Sequence, residues 1–133
     1  VDQHATLKLA LARRAPRLAR TFVADTLEAW AVEAQDVEAV QLVVSELVTN
    51  ALRHAPESPS VTLELSMTRD GVRVMVSDHS PREPQLREAP WSAESGRGVE
   101  LVDALADRWG TEPRRLGGKT VWCELRTESA TPR

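Results

Sequence analysis

The chain has 133 residues, 17 basic against 20 acidic side chains, a formal net charge of -3, and 41% hydrophobic and 28% charged residues. That suits one globular domain of the usual ~100–150 residues, and it lacks the basic excess of a dedicated nucleic-acid binder. No apolar run approaches the ~18 residues of a membrane span, the opening VDQHATLKLA is no signal peptide, and the lone Cys123 cannot form an internal disulfide, as expected in a reducing cytoplasm.

In chain order, residues 4–11 (HATLKLAL) alternate as a strand does. Pro16 suits the first turn of a helix, where a missing N–H costs nothing, and Leu18, Phe22, Val23, Leu27 and Trp30 then predict its buried face. Asp36 is the expected N-cap of a second helix running to about Ala55, with Val40, Val43, Val44, Leu47, Val48 and Ala51 as its apolar stripe. PESPS at 56–60 ends it. Val61, Leu63, Leu65 and Met67, then Val72, Val74 and Val76, predict two strands joined by a turn at Arg69-Asp70-Gly71.

Residues 79–98 carry Pro81, Pro84 and Pro90 and few apolar side chains, the pattern of a long functional loop. A third helix is expected over about 98–109, packing through Val99, Leu101, Val102, Leu105 and Trp109. Residues 111–116 and Thr120–Arg126 read as strands around a turn at Gly117-Gly118, and residues 127–133 as a frayed tail. Without repeat or linker, this predicts a single α/β domain over 1–133.

Three constellations carry candidate chemistry. On the second helix, Glu46, Asn50 and His54 stand at i, i+4 and i+8 with Arg53 beside them, so they share one polar stripe. Such a stripe is either a solvated face or a set aimed at a ligand. An amide oxygen suits a Mg²⁺ that takes its other ligands from phosphates and water, and a carboxylate one turn away can take a proton from an attacking hydroxyl. Gly96-Arg97-Gly98 precedes the third helix, where backbone N–H groups and the helix dipole favour phosphate, although a loop-to-helix junction reads the same way. Asp78 ends a strand, as a turn cap or as an acceptor for an exocyclic amine.

Other chemistries are excluded more firmly. Gly118-Lys119-Thr120 lacks the upstream glycine and following helix of a phosphate loop. His4, His54, His79 and Cys123 show no zinc-ligand spacing, and no G-x-S-x-G elbow is present. Trp91, Trp109 and Trp122 are expected in the core or under the loop, and Cys123 as a small buried strand residue. Arg13, Arg14, Arg17 and Arg20 form a solvated helix face or a partner surface.

Taken in order, the segments resemble the GHKL ATPase superfamily, which takes in gyrase and the histidine kinases. VSELVTNALRHA looks like its N box, Asp78 stands where its first glycine-box aspartate belongs, SGRGVELVDALADRWG looks like its second glycine box, and GGKTVWCEL resembles its closing strand. The wording is nearest to the anti-sigma-factor serine/threonine kinase branch and its short actinomycete ATP-binding regulators. The resemblance covers about residues 5–126. It implies a two-layer α/β sandwich, a mixed, mainly antiparallel sheet with three main helices on one face.

By the same resemblance, Asn50 would hold Mg²⁺ on the phosphates of ATP and Glu46 would be the general base. Asp78, with Ser80 in the same turn, would read the adenine amine, and Thr120 would support that contact. Gly96, Arg97 and Gly98 would cradle phosphate, Arg53 and His54 would line the pocket, and residues 79–95 would form a lid. One departure stands out: the first glycine box usually reads D-x-G-x-G and here reads Asp78-His79-Ser80-Pro81-Arg82. The implied function is a cytoplasmic Mg-ATP-dependent protein kinase whose partners are a sigma factor, an anti-sigma antagonist protein or a second copy of the chain. The alternatives are a non-catalytic ATP-sensing module that sequesters a partner and, more remotely, a catalytic fragment of a sensor histidine kinase.

Overall fold

Apolar side chains at alternate strand positions and along one stripe of each helix can be buried together only if the helices lie on one face of a sheet. The computed structural model has this arrangement; it describes residues 3–55, 58–80, 101–115 and 117–127. The elements run β1 (His4–Ala10), α1 (Ala15–Ala29), α2 (Ala34–His54), β2 (Ser60–Met67), β3 (Gly71–Asp78), β4 (Arg108–Pro113) and β5 (Lys119–Arg126), and residues 101–105 are helical. The sheet order is β1-β2-β3-β5-β4, and each described pairing is antiparallel.

The core lies between sheet and helices. Val61, Leu63 and Leu65 of β2, Val72, Val74 and Val76 of β3, and Val121, Cys123 and Leu125 of β5 point into it, against Ala19, Val23 and Leu27 of α1 and Val40, Val43, Val44, Leu47 and Val48 of α2. Val102, from the helical segment 101–105, joins the same cluster. The opposite sheet face is polar. There Arg108 donates through Nε (3.0 Å) and Nη2 (2.7 Å) to Oε1 of Glu124, and the guanidiniums of Arg73 and Arg108 lie 5.5 and 5.9 Å from the Trp122 ring centroid. Among the described residues, no helix is long and apolar enough to cross a membrane.

Several expectations shift. Helix α2 starts at Ala34 with Glu33 at its N-cap, and Asp36 sits in its first turn, where a negative charge still favours the helix dipole. Leu18 is 47% exposed, because the buried stripe of α1 runs through Ala15, Ala19, Val23 and Leu27 instead. The third helix does not reach Trp109. From Asp107, whose N–H donates to the carbonyl of Glu124 (2.8 Å), the chain joins the ladder as β4. Apolar spacing alone does not separate the last turn of a helix from the first residues of an edge strand. Trp122 is on the polar sheet face rather than in the core. Thr127, expected to fray, is buried and its N–H donates to Asp70 O (3.0 Å).

Candidate functional site

The candidate residues converge through chain connectivity. Helix α2 ends at His54, and after five intervening residues β2 begins beside the end of β3, where Thr62 pairs with Ser77. On the other side of β3 the start of β5 lies alongside, with Ser77 opposite Thr120 and Asp78 opposite Lys119. The last turns of α2, the end of β3 and the start of β5 thus share one end of the molecule. Ser58 links the turn after β3 to the start of β2: its Oγ accepts from the N–H of His79 (3.0 Å) and donates to the carbonyl of Ser60 (2.8 Å).

All of Glu46, Asn50, Arg53 and His54 fall within α2, so the i, i+4, i+8 stripe is formed as the spacing predicts. Glu46, Asn50 and His54 are half-buried and Arg53 is exposed. Across the helix pair, Arg20 Nη1 donates to Ser45 Oγ (2.9 Å) and Gln41 Nε2 to the Arg20 carbonyl (3.0 Å). Arg20 is therefore held by α2, while Arg13, Arg14 and Arg17 remain exposed.

Asp78 is buried, and both of its carboxylate oxygens are engaged. Oδ1 accepts from the backbone N–H of Ser80 (2.9 Å), itself fully buried. Oδ2 lies 2.9 Å from Nζ of Lys119, and both side chains are about 5% exposed. That contact is an ion pair by distance, yet its alignment is not that of a hydrogen bond, and Nζ has no acceptor among the described residues. The Asp78 carbonyl accepts from Arg114 Nη1 (3.2 Å). Gly118 presses against the same carbonyl, which a Cβ there would meet at 2.0 Å; its φ of +92° also suits glycine alone.

Strand phase separates two residues that adjoin in sequence. Lys119 is in step with the buried Val121, Cys123 and Leu125, and Asp78 with Val72, Val74 and Val76, so both charges lie on the helix side of the sheet. Thr120 is out of step by one. Its hydroxyl meets that of Ser77 at 2.8 Å on the other face. Lys119, not Thr120, is therefore the side chain against the Asp78 carboxylate, a neighbour that the phosphate-loop spacing of Gly118-Lys119-Thr120 does not reveal. A lysine in phase with an apolar stripe was the available signal.

Gly96, Arg97, Gly98 and all but the first two residues of the expected 79–95 lid lie outside the described residues. No group of three His, Cys, Asp or Glu side chains converges on a metal position among the described residues; a divalent ion at Asn50 would therefore need phosphate and water to complete its shell. The donor set at the strand ends has the chemistry that a nucleotide base would need. A buried carboxylate and an ammonium with unused N–H groups offer an acceptor and a donor side by side. A polar cleft of about 490 Å³ lined by Arg69, Asp107, Arg108 and Glu124 lies at the opposite end of β3 and holds none of these residues.

The family model of the histidine kinase-like ATPase domain matches residues 9–124. An uncharacterized protein of Streptomyces coelicolor is 39% identical over 84 residues, covering 61% of this chain and 79% of that protein. The crystal structure of the RsbU and RsbW domains of Rv1364c from Mycobacterium tuberculosis matches with a TM-score of 0.69 at 19% identity, over 96% of this chain. That likeness is one of fold, and this chain spans 34% of that chain's length.

Proposed function

The chain belongs to the histidine kinase-like ATPase domain family, and from that premise we propose that it is a Mg-ATP-dependent regulatory protein serine/threonine kinase of the anti-sigma type. Its substrate is an antagonist protein, its further partners are a sigma factor or a second copy of the chain, and it works in the cytoplasm as a single domain over 1–133. The observation that carries the reading is that helix α2, with Glu46, Asn50 and His54 on one stripe, ends at the same end of the fold as the buried Asp78.

When bound, ATP supplies the transferable phosphoryl group. The residues have distinct tasks. Asp78 accepts from the exocyclic amine of the base, and the tight turn at Ser80 orients its carboxylate. Asn50 offers a neutral amide oxygen to Mg²⁺. Glu46, one turn earlier, takes the proton of the attacking Ser or Thr hydroxyl. Arg53 and His54 line the phosphate side, Gly96, Arg97 and Gly98 bind phosphate, and Thr120 acts through Ser77 from the far face of the sheet.

Calorimetry with ATP, with and without Mg²⁺, tests the reading. Binding that strengthens with Mg²⁺ and loses that gain in Asn50→Ala is the expected outcome; no binding by the parent protein overturns it. A second reading, an ATP-sensing module with little turnover, draws on the closed turn after Asp78, where Ser80 stands in place of a glycine and is fully buried. Phosphate transfer to an antagonist protein separates the two readings.

A further inference from the structure

Only two lysines occur in this chain, and one of them is buried. A buried ion pair repays its desolvation only when further hydrogen bonds satisfy the remaining protons and lone pairs. Asp78 meets that condition in part, through the N–H of Ser80. Lys119 does not: its ammonium is 2.9 Å from Asp78 Oδ2 and has no aligned acceptor among the described residues. The pair is poorly arranged as a stabilising device. It is well arranged as a recognition pair, because the ladder register puts both charges at strand ends on the helix side, where the stripe of α2 also ends.

We propose that Lys119 is a second base-reading residue, and that with Asp78 it lets the site accept a 6-oxo purine nucleotide as well as a 6-amino one. The inference rests on the nucleotide-binding reading above and extends it to base specificity. The chemistry follows from donor and acceptor complementarity. Adenine presents an amine at position 6 and an acceptor nitrogen at position 1; Asp78 takes the first and Lys119 donates to the second. Hypoxanthine presents the reverse, a carbonyl at position 6 and an N–H at position 1. Lys119 then donates to the carbonyl and Asp78 accepts from the N–H. A carboxylate alone meets the 6-oxo group as one acceptor against another, and an unpaired buried acceptor is what gives polar sites their discrimination. The flexible four-carbon stem and three rotatable donors of lysine suit the exchange.

Inosine triphosphate is the direct probe, because it differs from ATP only at positions 6 and 1. Calorimetry on the parent chain with Mg²⁺ should give affinities for the two nucleotides within about tenfold of each other. Lys119→Met should widen the ratio of ATP to inosine triphosphate affinity by a further tenfold or more, and Lys119→Arg, which keeps charge and donors, should restore it. Binding of ATP with inosine triphosphate more than about tenfold weaker in the parent overturns the proposal and leaves ATP binding intact. Equal losses for both nucleotides in Lys119→Met also overturn it, making Lys119 only a support for Asp78. If that variant fails to fold, the parent's ratio decides alone. Failure of both nucleotides to bind the parent removes the nucleotide reading itself, a distinct result.

Discussion

Glu46 and Asn50 are one helical turn apart, both half-buried, on the same side of α2. Their proposed tasks separate in a binding experiment and a transfer experiment. Glu46→Gln keeps size and hydrogen-bonding shape but loses basicity. It should leave ATP affinity within a few-fold while phosphate transfer falls by roughly 10²–10⁴-fold, the usual contribution of a general base. An equal fall in both would make Glu46 structural. Cys123 gives a second residue-scale prediction. It is fully buried, and burial pushes its thiol up from 9.0 to about 12. A neutral thiol is a poor nucleophile, so folded protein at pH 8 should resist alkylation and denatured protein should react at once. The raised value also fixes a sign. The folded state holds this proton more tightly than the unfolded one, so its contribution to stability is complete below pH 9 and declines as pH rises toward 12. Urea midpoints that rise from pH 9 to 11 would contradict this.

At the scale of elements, the end of β3 and the start of β5 are held by a backbone contact that side chains cannot replace. Gly118 has φ +92°, and a Cβ there would overlap the Asp78 carbonyl at 2.0 Å. Gly118→Ala should cost about 1–3 kcal/mol in strain. It should also weaken ATP binding, because the displaced carbonyl belongs to Asp78, the proposed reader of the base. Thermal unfolding and calorimetry on one sample check both; a stable variant with reduced affinity would locate the effect at Asp78. The core strands behave more simply. Leu63, fully buried in β2, should cost about 2–5 kcal/mol as Leu63→Ala, with the site's affinity little changed in protein that remains folded.

For the whole molecule, binding at one end must be read as stability everywhere in a cooperative fold. A ligand at 100 times its dissociation constant adds about 2.7 kcal/mol, so Mg-ATP should raise the melting temperature in proportion to the logarithm of its concentration. The same measurement on Asn50→Ala should show a smaller rise with Mg²⁺ present. The polar sheet face contributes less. Arg108 is 69% exposed in its pair with Glu124, and exposed pairs are worth little. High salt should therefore leave the melting temperature nearly unchanged.

Much of this architecture could be read from residue order alone. The apolar stripe of α2 at Val40, Val43, Val44, Leu47, Val48 and Ala51 is buried as its period required, and the alternation in β2 and β3 faces the core as expected. Local periodicity records which side of an element avoids water, and so it carries the elements and the placement of Glu46, Asn50 and His54 on one stripe; the family resemblance is carried by the residues of the motifs themselves. Periodicity does not record which element lies next to which. Trp109 belongs to a strand because β5 offers it a ladder partner at Cys123. Leu18 is exposed because of where the buried stripe of α1 settles against its neighbours. The site shows the same limit most sharply: Gly118-Lys119-Thr120 reads as three neighbours, but pairing in register with β3 sends Lys119 to Asp78 and Thr120 to Ser77 on opposite faces. A partner 41 positions away in sequence is chosen by hydrogen-bond register across the sheet, and only the folded chain contains that information.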